Sequence, residues 1–159
     1  MEWTKGQIEG VVIKKLVKHV DERGFLVETF RIDELPEGLQ PLMSYVSYTE
    51  PGITRGPHEH KAQTDIFSFI GPGNFVVKLW DNRRDSKTYG KYMKFFAGED
   101  NPLTVIVPPG VIHGYKNVSK TTRGMVLNYP DKLFMGWKRS EEVDEIRHEE
   151  KEDNEFGME

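Results

Sequence analysis

Two segments of the chain carry the side chains that are best suited to chemistry. The first contains His58, His60 and Asp65, and the second, further along, contains His113 after a Pro-Pro-Gly turn. Residues two apart on a β-strand point to the same face, so the rings of His58 and His60 can share one interior. If the two segments lie side by side in a barrel, three imidazoles and one carboxylate converge. This set suits Zn, Mn, Fe or Ni, or a metal-free proton transfer.

Short strands must position these side chains. Runs rich in β-branched and aromatic residues, bounded by Gly and Pro turns, predict strands at 8–16, 25–31, 44–48, 66–70, 75–80, 91–96, 103–107, 114–118 and 124–129. Such short strands at near-regular spacing are typical of all-β sandwiches and barrels. We therefore expect one all-β domain over residues 1–150. The spacing of Val143 and Ile146 allows a short helix, and the acidic tail over 151–159 is expected to be disordered.

The composition excludes several classes of protein. A chain of 159 residues fits one domain with a real core. It has no cysteine, which excludes disulfides, thiolate catalysis and thiolate metal ligands. No apolar run approaches the roughly 20 residues of a membrane helix, and the first residues do not resemble a signal peptide. We expect a cytoplasmic protein without a membrane partner.

Charge is spread unevenly along the chain. The net charge is −4, but residues 140–159 contain ten acids and two bases, so the rest of the chain is mildly basic. A mildly basic body is compatible with an anionic small molecule. It is too weakly charged to indicate nucleic acid binding, which usually needs a concentrated basic patch.

Several other polar residues have ordinary structural interpretations. His19 precedes a turn and His148 lies beside two glutamates, so we expect both at the surface. Arg83 lies in a polar loop and is expected to belong to a solvated turn rather than to a phosphate site. Trp80 is expected in the core.

The spacing within the two segments resembles a known motif. The pattern is His-x-His, four residues, an acid, and later Pro-x-Gly-x-x-His-x-x-x-Asn. It is similar to both halves of the cupin double motif. This resemblance implies a jelly-roll (cupin) barrel in which the two segments are paired and the motif histidines face inward.

Further motifs, in the same order, resemble the dTDP-4-dehydrorhamnose 3,5-epimerase family of cupins. They are Asp21-Glu22-Arg23-Gly24, Glu28-Thr29-Phe30, Arg55-Gly56-x-His58, Ala62-Gln63, Asp81-x-Arg83, Ser86-x-Thr88-Tyr89-Gly90 and Pro108-x-Gly110-x-x-His113-Gly114. The resemblance implies an isomerase that inverts carbons 3 and 5 of a 4-keto-6-deoxy sugar on a nucleoside diphosphate, for cell-surface polysaccharide biosynthesis. It also implies that no cofactor is required, and that the protein is a homodimer exchanging N-terminal strands.

The same resemblance assigns roles to individual residues. His58 matches the base that removes the proton next to the ketone. Arg23, Glu28 and Arg55 fall where the family holds the nucleotide and its phosphates, and guanidinium groups suit phosphate through paired, charged hydrogen bonds. Gln63 completes the expected substrate-binding set together with His113.

At the other catalytic positions the chain departs from the family. Asp65 stands where the family has a lysine near the ketone, and Asn128, next to Tyr129, stands where the family has a tyrosine acid. The expected catalytic set is therefore His58, Asp65 and Asn128. Asp65 can help only if it is protonated, through a raised pKa, or if it orients a neighbouring histidine.

Two further sets of positions differ or stay open. The glutamine and asparagine that help the family to read the nucleotide are replaced by Met43 and Tyr45. An acid that supports the base is expected near the C-terminus, where Asp144, Glu149 and Glu150 are equally good candidates.

Three other functions compete with epimerisation. Residues 55–61 also resemble the Arg-Gly-x-His-x-His-Lys segment of sugar 3,4-ketoisomerases, in which paired histidines move protons between neighbouring carbons. A metal-dependent cupin would use His58, His60, Asp65 and His113 as ligands, with an open position to polarise a carbonyl or bind dioxygen. The third alternative is a sugar-binding cupin without catalysis.

Overall fold

Two antiparallel sheets face each other in this computed structural model, which describes residues 2–159. In the six-stranded sheet the spatial order is β1 (Thr4–Lys5), β9 (Lys91–Gly98), β8 (Asn74–Asp81), β11 (Val111–Asn117), β6 (Thr54–Glu59) and β13 (Ile146–Arg147). In the five-stranded sheet it is β2 (Val12–Lys15), β10 (Leu103–Val107), β7 (Asp65–Phe69), β12 (Gly124–Asn128) and β5 (Tyr45–Thr49). Only β1 pairs in parallel, with β9.

Three short elements complete the described chain. The strands β3 (His19–Asp21) and β4 (Gly24–Leu26) form a separate hairpin, and all six of their residues are exposed. Single 3-10 turns cover Ile32–Glu34 and Trp137–Arg139. No helix among residues 2–159 is both long and apolar enough to cross a membrane. The all-β expectation is confirmed.

The core lies between the two sheets, and strand alternation explains its composition. On β8 the side chains of Phe75, Val77 and Leu79 point inward and are almost fully buried. Phe69 and Val105 meet them from the five-stranded sheet. Burying one such side chain contributes about 1.5–3 kcal/mol, so these layers hold the two sheets at a fixed spacing.

The acidic tail covers the outer face of the six-stranded sheet. Phe156 is 5% exposed and Met158 is 8% exposed, and they pack with Trp80 and Ile112. The ammonium group of Lys78 donates to the carbonyl of residue 157 at 2.7 Å. The sequence predicts disorder over 151–159 because charge dominates there, whereas the structure packs two apolar tail residues against an apolar outer face.

Two local expectations differ from the structure. The strand predicted over 25–31 ends at Leu26, and the short helix considered around Val143 and Ile146 is instead the strand β13. The cause in the second case is long-range pairing, since Ile146 pairs with Glu59. This pairing brings the C-terminal segment to the edge of β6, the strand that carries His58 and ends directly before His60.

Candidate active site

Pairing between β6 and β11 brings the two predicted segments together. His58 lies opposite His113 in the antiparallel register, and an irregularity follows between His113 and Tyr115. Gly56 permits this approach, because its φ is 78° and a Cβ there would lie 2.6 Å from the carbonyl oxygen of His113. The expectation that the two motif segments lie side by side is therefore met.

The three motif imidazoles form one cluster. The ring centroids are 4.5 Å apart for His58 and His113, and 5.9 Å apart for both His58–His60 and His60–His113. One ring nitrogen of each lies within 4.8 Å of the others. His113 is buried at 3% exposure, while the other two rings are partly open.

Asp65, on β7 of the opposite sheet, completes the cluster. Its Oδ2 lies 3.2 Å from Nε2 of His60 and 3.2 Å from Nε2 of His113. Its Oδ1 accepts hydrogen bonds of 2.8 Å from the amide groups of Gln63 and Asn128. The carboxylate is 1% exposed, so its charge must be balanced within the site.

The tautomers of His60 and His113 leave Asp65 Oδ2 without a hydrogen-bond donor. Nδ1 of His113 donates to the carbonyl of Val111 at 3.0 Å, and Nδ1 of His60 donates to the carbonyl of Asp144. In the neutral rings each Nε2 is then a lone pair facing Asp65. Neither Asp65 Oδ2 nor His113 Nε2 has a hydrogen-bond partner within residues 2–159.

A positive charge next to Asp65 removes the repulsion between its carboxylate and the Nε2 lone pairs. Burial disfavours a charged imidazole, but the neighbouring Asp65 outweighs it and raises the pKa of His60 to about 9. Burial likewise opposes ionisation of Asp65, yet the adjacent His113 and His60 hold its pKa well below its usual range. Without a metal, the structure therefore favours a protonated His60 beside an ionised Asp65.

His58 has the opposite character. Burial, together with the neighbouring His113 and His60, lowers the pKa of His58 to about 2. The ring is therefore neutral at ordinary pH and has a lone pair available for a proton. Its Nδ1 lies 3.6 Å from Glu145 and 3.8 Å from Glu149, so two carboxylates can stabilise the ring when it becomes charged.

The carboxylates nearest His58 only partly coincide with the candidates from the sequence. Glu149 is one of the three candidates, and Glu145 is not among them. Asp144 instead accepts hydrogen bonds from the backbone N–H groups of residues 61–63, and Glu150 pairs with Arg147 at 3.2 Å. No local sequence signal points to Glu145, because it reaches His58 only through the pairing of β13 with β6.

A large cavity opens beside the imidazole cluster. Its volume is about 1030 Å³, which is in the range of small-molecule sites. One part of the wall comes from both sheets and the other from the segment 130–149. Among its lining residues are Tyr45, Arg55, His58, His60, Gln63, Tyr115, Lys132 and Glu145.

The predicted substrate-binding residues divide into two groups. Arg55 and Gln63 line the cavity, and Arg55 is held by Thr49 Oγ1 at 2.9 Å and by the carbonyl of Tyr48 at 2.7 Å. Arg23 and Glu28 do not line it. Arg23 lies in the turn between β3 and β4. Its side chain is 83% exposed and pairs with Asp21 at the end of β3.

Asp65, His113 and Asn128 lie behind the cavity wall rather than on it, because all three are buried. Asn128 holds its neighbours in place. Its Oδ1 accepts from the backbone N–H of Ile66 at 3.1 Å, and its Nδ2 donates to Asp65 and to the hydroxyl of Tyr45, each at 2.8 Å.

Three residues outside the cluster differ in how well they match their sequence-based expectations. His148 is 7% exposed rather than at the surface, because Nε2 lies 2.8 Å from Glu59 and the ring packs on Phe156. His19 is exposed as expected. Arg83 is held by Asp81, with Nε–Oδ1 at 2.8 Å, so it maintains a turn.

The comparison with protein families decides the classification. The family model described as dTDP-4-dehydrorhamnose 3,5-epimerase matches residues 5–132 of this chain. The chain belongs to this family. The match includes the imidazole cluster, Asp65 and Asn128, and it ends before the segment that supplies Glu145 and Glu149.

Two curated relatives of this epimerase-family chain have names that refer to polysaccharide or glycan biosynthesis. A spore coat polysaccharide biosynthesis protein of Bacillus subtilis is 43% identical over 115 residues, covering 72% of this chain and 74% of the relative. A probable low-salt glycan biosynthesis epimerase of Haloferax volcanii is 36% identical over 128 residues, covering 80% of this chain and 81% of the relative. The chain is an enzyme of the carbohydrate epimerase type.

Solved structures confirm the jelly-roll expectation. A dTDP sugar isomerase from Desulfovibrio desulfuricans G20 superposes with a TM-score of 0.79 at 24% identity, covering 94% of this chain and 91% of that one. A dTDP-4-dehydrorhamnose 3,5-epimerase from Sulfolobus tokodaii superposes with a TM-score of 0.67 at 26% identity, covering 82% and 75%. The predicted cupin barrel is therefore correct.

Proposed function

We propose that this protein is a 3- and/or 5-epimerase of a dTDP-linked 4-keto-6-deoxy sugar. The observation that carries the proposal is the His58 ring at the wall of a cavity of about 1030 Å³, with Nδ1 3.6 Å from Glu145 and 3.8 Å from Glu149, in a chain of the epimerase family. Inversion next to a ketone requires a base, a group that stabilises the enolate oxygen and an acid on the other face. His58 is the proposed base.

The imidazole cluster supplies the electrostatic part of the reaction. As His58 takes a proton, Glu145 and Glu149 balance the new charge from 3.6 and 3.8 Å. His60 lines the cavity, and its pKa of about 9 keeps it protonated at neutral pH. We assign it the positive charge near the enolate oxygen that a lysine provides in the family. Asp65 then positions His60.

The nucleotide would be bound by residues from two chains. Arg55 lines the cavity, while the side chain of Arg23 is 83% exposed and does not. Val20, Phe25 and Leu26 of the hairpin are also exposed, at 52–76%. A homodimer in which the hairpin of one copy reaches the cavity of the other would account for both features. Light scattering should give twice the chain mass of 18.4 kDa, and a monomer at micromolar concentration would contradict this.

The product is proposed to enter cell-surface polysaccharide. This agrees with the names of the two curated relatives, which refer to spore coat polysaccharide biosynthesis and to glycan biosynthesis. The chain has no cysteine and so has no requirement for an oxidising compartment, and we place the activity in the cytoplasm.

The decisive experiment follows dTDP-4-keto-6-deoxyglucose by NMR in deuterated water. Deuterium at carbon 3 or carbon 5, with inversion there, supports epimerisation. A 3-keto product would instead support the ketoisomerase alternative. Binding of the sugar with neither exchange nor conversion would indicate a sugar-binding cupin without catalysis.

A metal-dependent reaction is the second candidate, because Asp65 Oδ2 and His113 Nε2 are buried without hydrogen-bond partners. A divalent cation held by His58, His60, Asp65 and His113 would satisfy both atoms, and this mixed N/O set suits Zn, Mn, Fe or Ni. When bound, the ion would polarise the sugar carbonyl. Elemental analysis of protein purified without a histidine tag tests this. Near-stoichiometric metal that is lost in Asp65→Ala supports it, and full turnover by metal-free protein opposes it.

A further inference from the structure

The cavity has one tyrosine on the sheet opposite the proposed base. His58 belongs to β6 of the six-stranded sheet, and Tyr45 belongs to β5 of the five-stranded sheet. Both side chains line the same cavity. A sugar bound between them would therefore meet His58 from one side and the Tyr45 hydroxyl from the other.

The hydrogen bonds of Asn128 show that the Tyr45 hydroxyl acts as an acceptor toward it. Asn128 Oδ1 accepts from the N–H of Ile66, so its Nδ2 is the donor end of the amide. The two hydrogens of Nδ2 go to Asp65 Oδ1 and to the Tyr45 oxygen, each at 2.8 Å. The Tyr45 oxygen therefore accepts from Asn128, and its own hydrogen remains available to a ligand in the cavity.

This arrangement also compensates for a missing side chain. The family resemblance places a tyrosine acid at the position of Asn128, where the chain has no ionisable group. Tyr45 lies directly opposite Asn128 in the register of β5 and β12. A tyrosine on the neighbouring strand thus brings its hydroxyl to the amide that occupies the vacated position.

We propose that Tyr45 is the acid that returns a proton to the sugar carbon, on the face opposite His58. This role rests on the proposed epimerase function. Burial and the nearby Asp65 raise the pKa of the Tyr45 hydroxyl, and the hydrogen bond from Asn128 works against this rise. The hydrogen bond from Asn128 stabilises the phenolate that forms when the proton leaves.

The step balances without any further reactant. The C–H bond next to the ketone breaks, its proton goes to a ring nitrogen of His58, and its electron pair forms the enolate. The O–H bond of Tyr45 then breaks as a new C–H bond forms on the opposite face. Tyr45 is left as phenolate and His58 as imidazolium, and proton exchange with solvent restores both.

The other nearby tyrosines are less suitable. Tyr115 lies on β11, beside β6 in the same sheet as His58, and its hydroxyl contacts Ser47 at 3.2 Å. Tyr129 does not line the cavity, and its hydroxyl contacts Thr29 at 3.0 Å. Tyr129→Phe is therefore a matched control for Tyr45→Phe.

The test separates isotope exchange from inversion, using dTDP-4-keto-6-deoxyglucose in deuterated water. His58 can return a proton to the face from which it took one, so Tyr45→Phe should keep exchange while inversion falls by about 10²-fold or more. Tyr129→Phe should keep the wild-type ratio of inversion to exchange. The affinity of Tyr45→Phe for dTDP should stay within about threefold of wild type.

Four results would overturn the assignment. Inversion by Tyr45→Phe at the wild-type rate would remove Tyr45 from the reaction while leaving the epimerase proposal intact. A large loss of dTDP affinity with an unchanged ratio of inversion to exchange would make Tyr45 a nucleotide contact. Wild-type protein that exchanges no proton of this sugar would end the epimerase proposal and the Tyr45 role together. If Tyr45→Phe does not fold, 3-fluorotyrosine at position 45, a stronger acid of nearly the same size, should change the ratio of inversion to exchange while dTDP affinity is kept, and an unchanged ratio would refute the role.

Discussion

Nδ1 of His58 lies 3.6 Å from a carboxylate oxygen of Glu145, which reaches it only because β13 pairs with β6 at the edge of the sheet. The same ring is held neutral by burial and by the two neighbouring imidazoles. A neutral base next to a carboxylate can take a proton without creating an unbalanced buried charge.

We expect Glu145→Gln to lower kcat for deuterium exchange by about tenfold, which corresponds to about 1.4 kcal/mol of lost transition-state stabilisation. The amide keeps the shape of the side chain but removes the charge that stabilises protonated His58. Glu150→Gln is the matched control, because Glu150 is exposed and pairs with Arg147. Equal effects of the two variants on kcat would show that Glu145 has no specific role.

Asp65→Asn should destabilise the fold by about 3–5 kcal/mol in urea unfolding. The substitution removes the negative charge between His60 and His113, so any positive charge on these buried rings is left without a partner. Asp33→Asn, at an exposed ion pair with Arg31, is the control and should leave stability nearly unchanged. Comparable losses in both variants would contradict the charge balance described for the site.

Asp81 should make stability depend on acid pH. Burial opposes its ionisation, but hydrogen bonds from Arg83, Ser86 and Thr88 outweigh this and lower its pKa to about 2. The folded-state pKa lies below the unfolded value, so this stabilisation is complete above about pH 4 and is lost as the pH falls toward 2. Wild type should lose about 1–2 kcal/mol of unfolding free energy through Asp81 over this pH range, and Asp81→Asn should lack this part of the pH dependence. Asp85→Asn, at an exposed position of the same loop, should keep the wild-type profile.

The packed tail should contribute to stability. Phe156→Ala removes contacts with Trp80 and Trp3 and should lower the free energy of unfolding by about 1–3 kcal/mol. Glu152→Ala, at an exposed position of the tail, is the control. A change of less than about 0.5 kcal/mol for Phe156→Ala would mean that the tail does not pack in solution.

Local sequence patterns were sufficient for the barrel and for the imidazole cluster. Strand alternation places His58 and His60 on one face, and the turn before His113 allows the second segment to pair with the first. Both features follow from residues close together in the chain and from the motif resemblance. Asp65 meets the cluster because β7 follows β6 after a short loop.

The features that sequence reasoning missed depend on contacts between distant segments. Glu145 reaches His58 through the pairing of β13, and Tyr45 reaches Asn128 through the pairing of β5 with β12. His148 is buried only because the tail and Glu59 cover it. No local periodicity identifies such pairings, since each depends on which strand edges remain free after the main sheets have formed.

The most direct test of the central claim is the rate of deuterium incorporation into dTDP-4-keto-6-deoxyglucose, compared between wild type and His58→Asn by proton NMR. We expect wild type to incorporate deuterium at carbon 3 or carbon 5, and His58→Asn to be slower by about 10²–10⁴-fold while it still binds dTDP. Equal incorporation by the two proteins, or none by wild type on this sugar, would contradict the assignment of His58 as the base of a sugar epimerase.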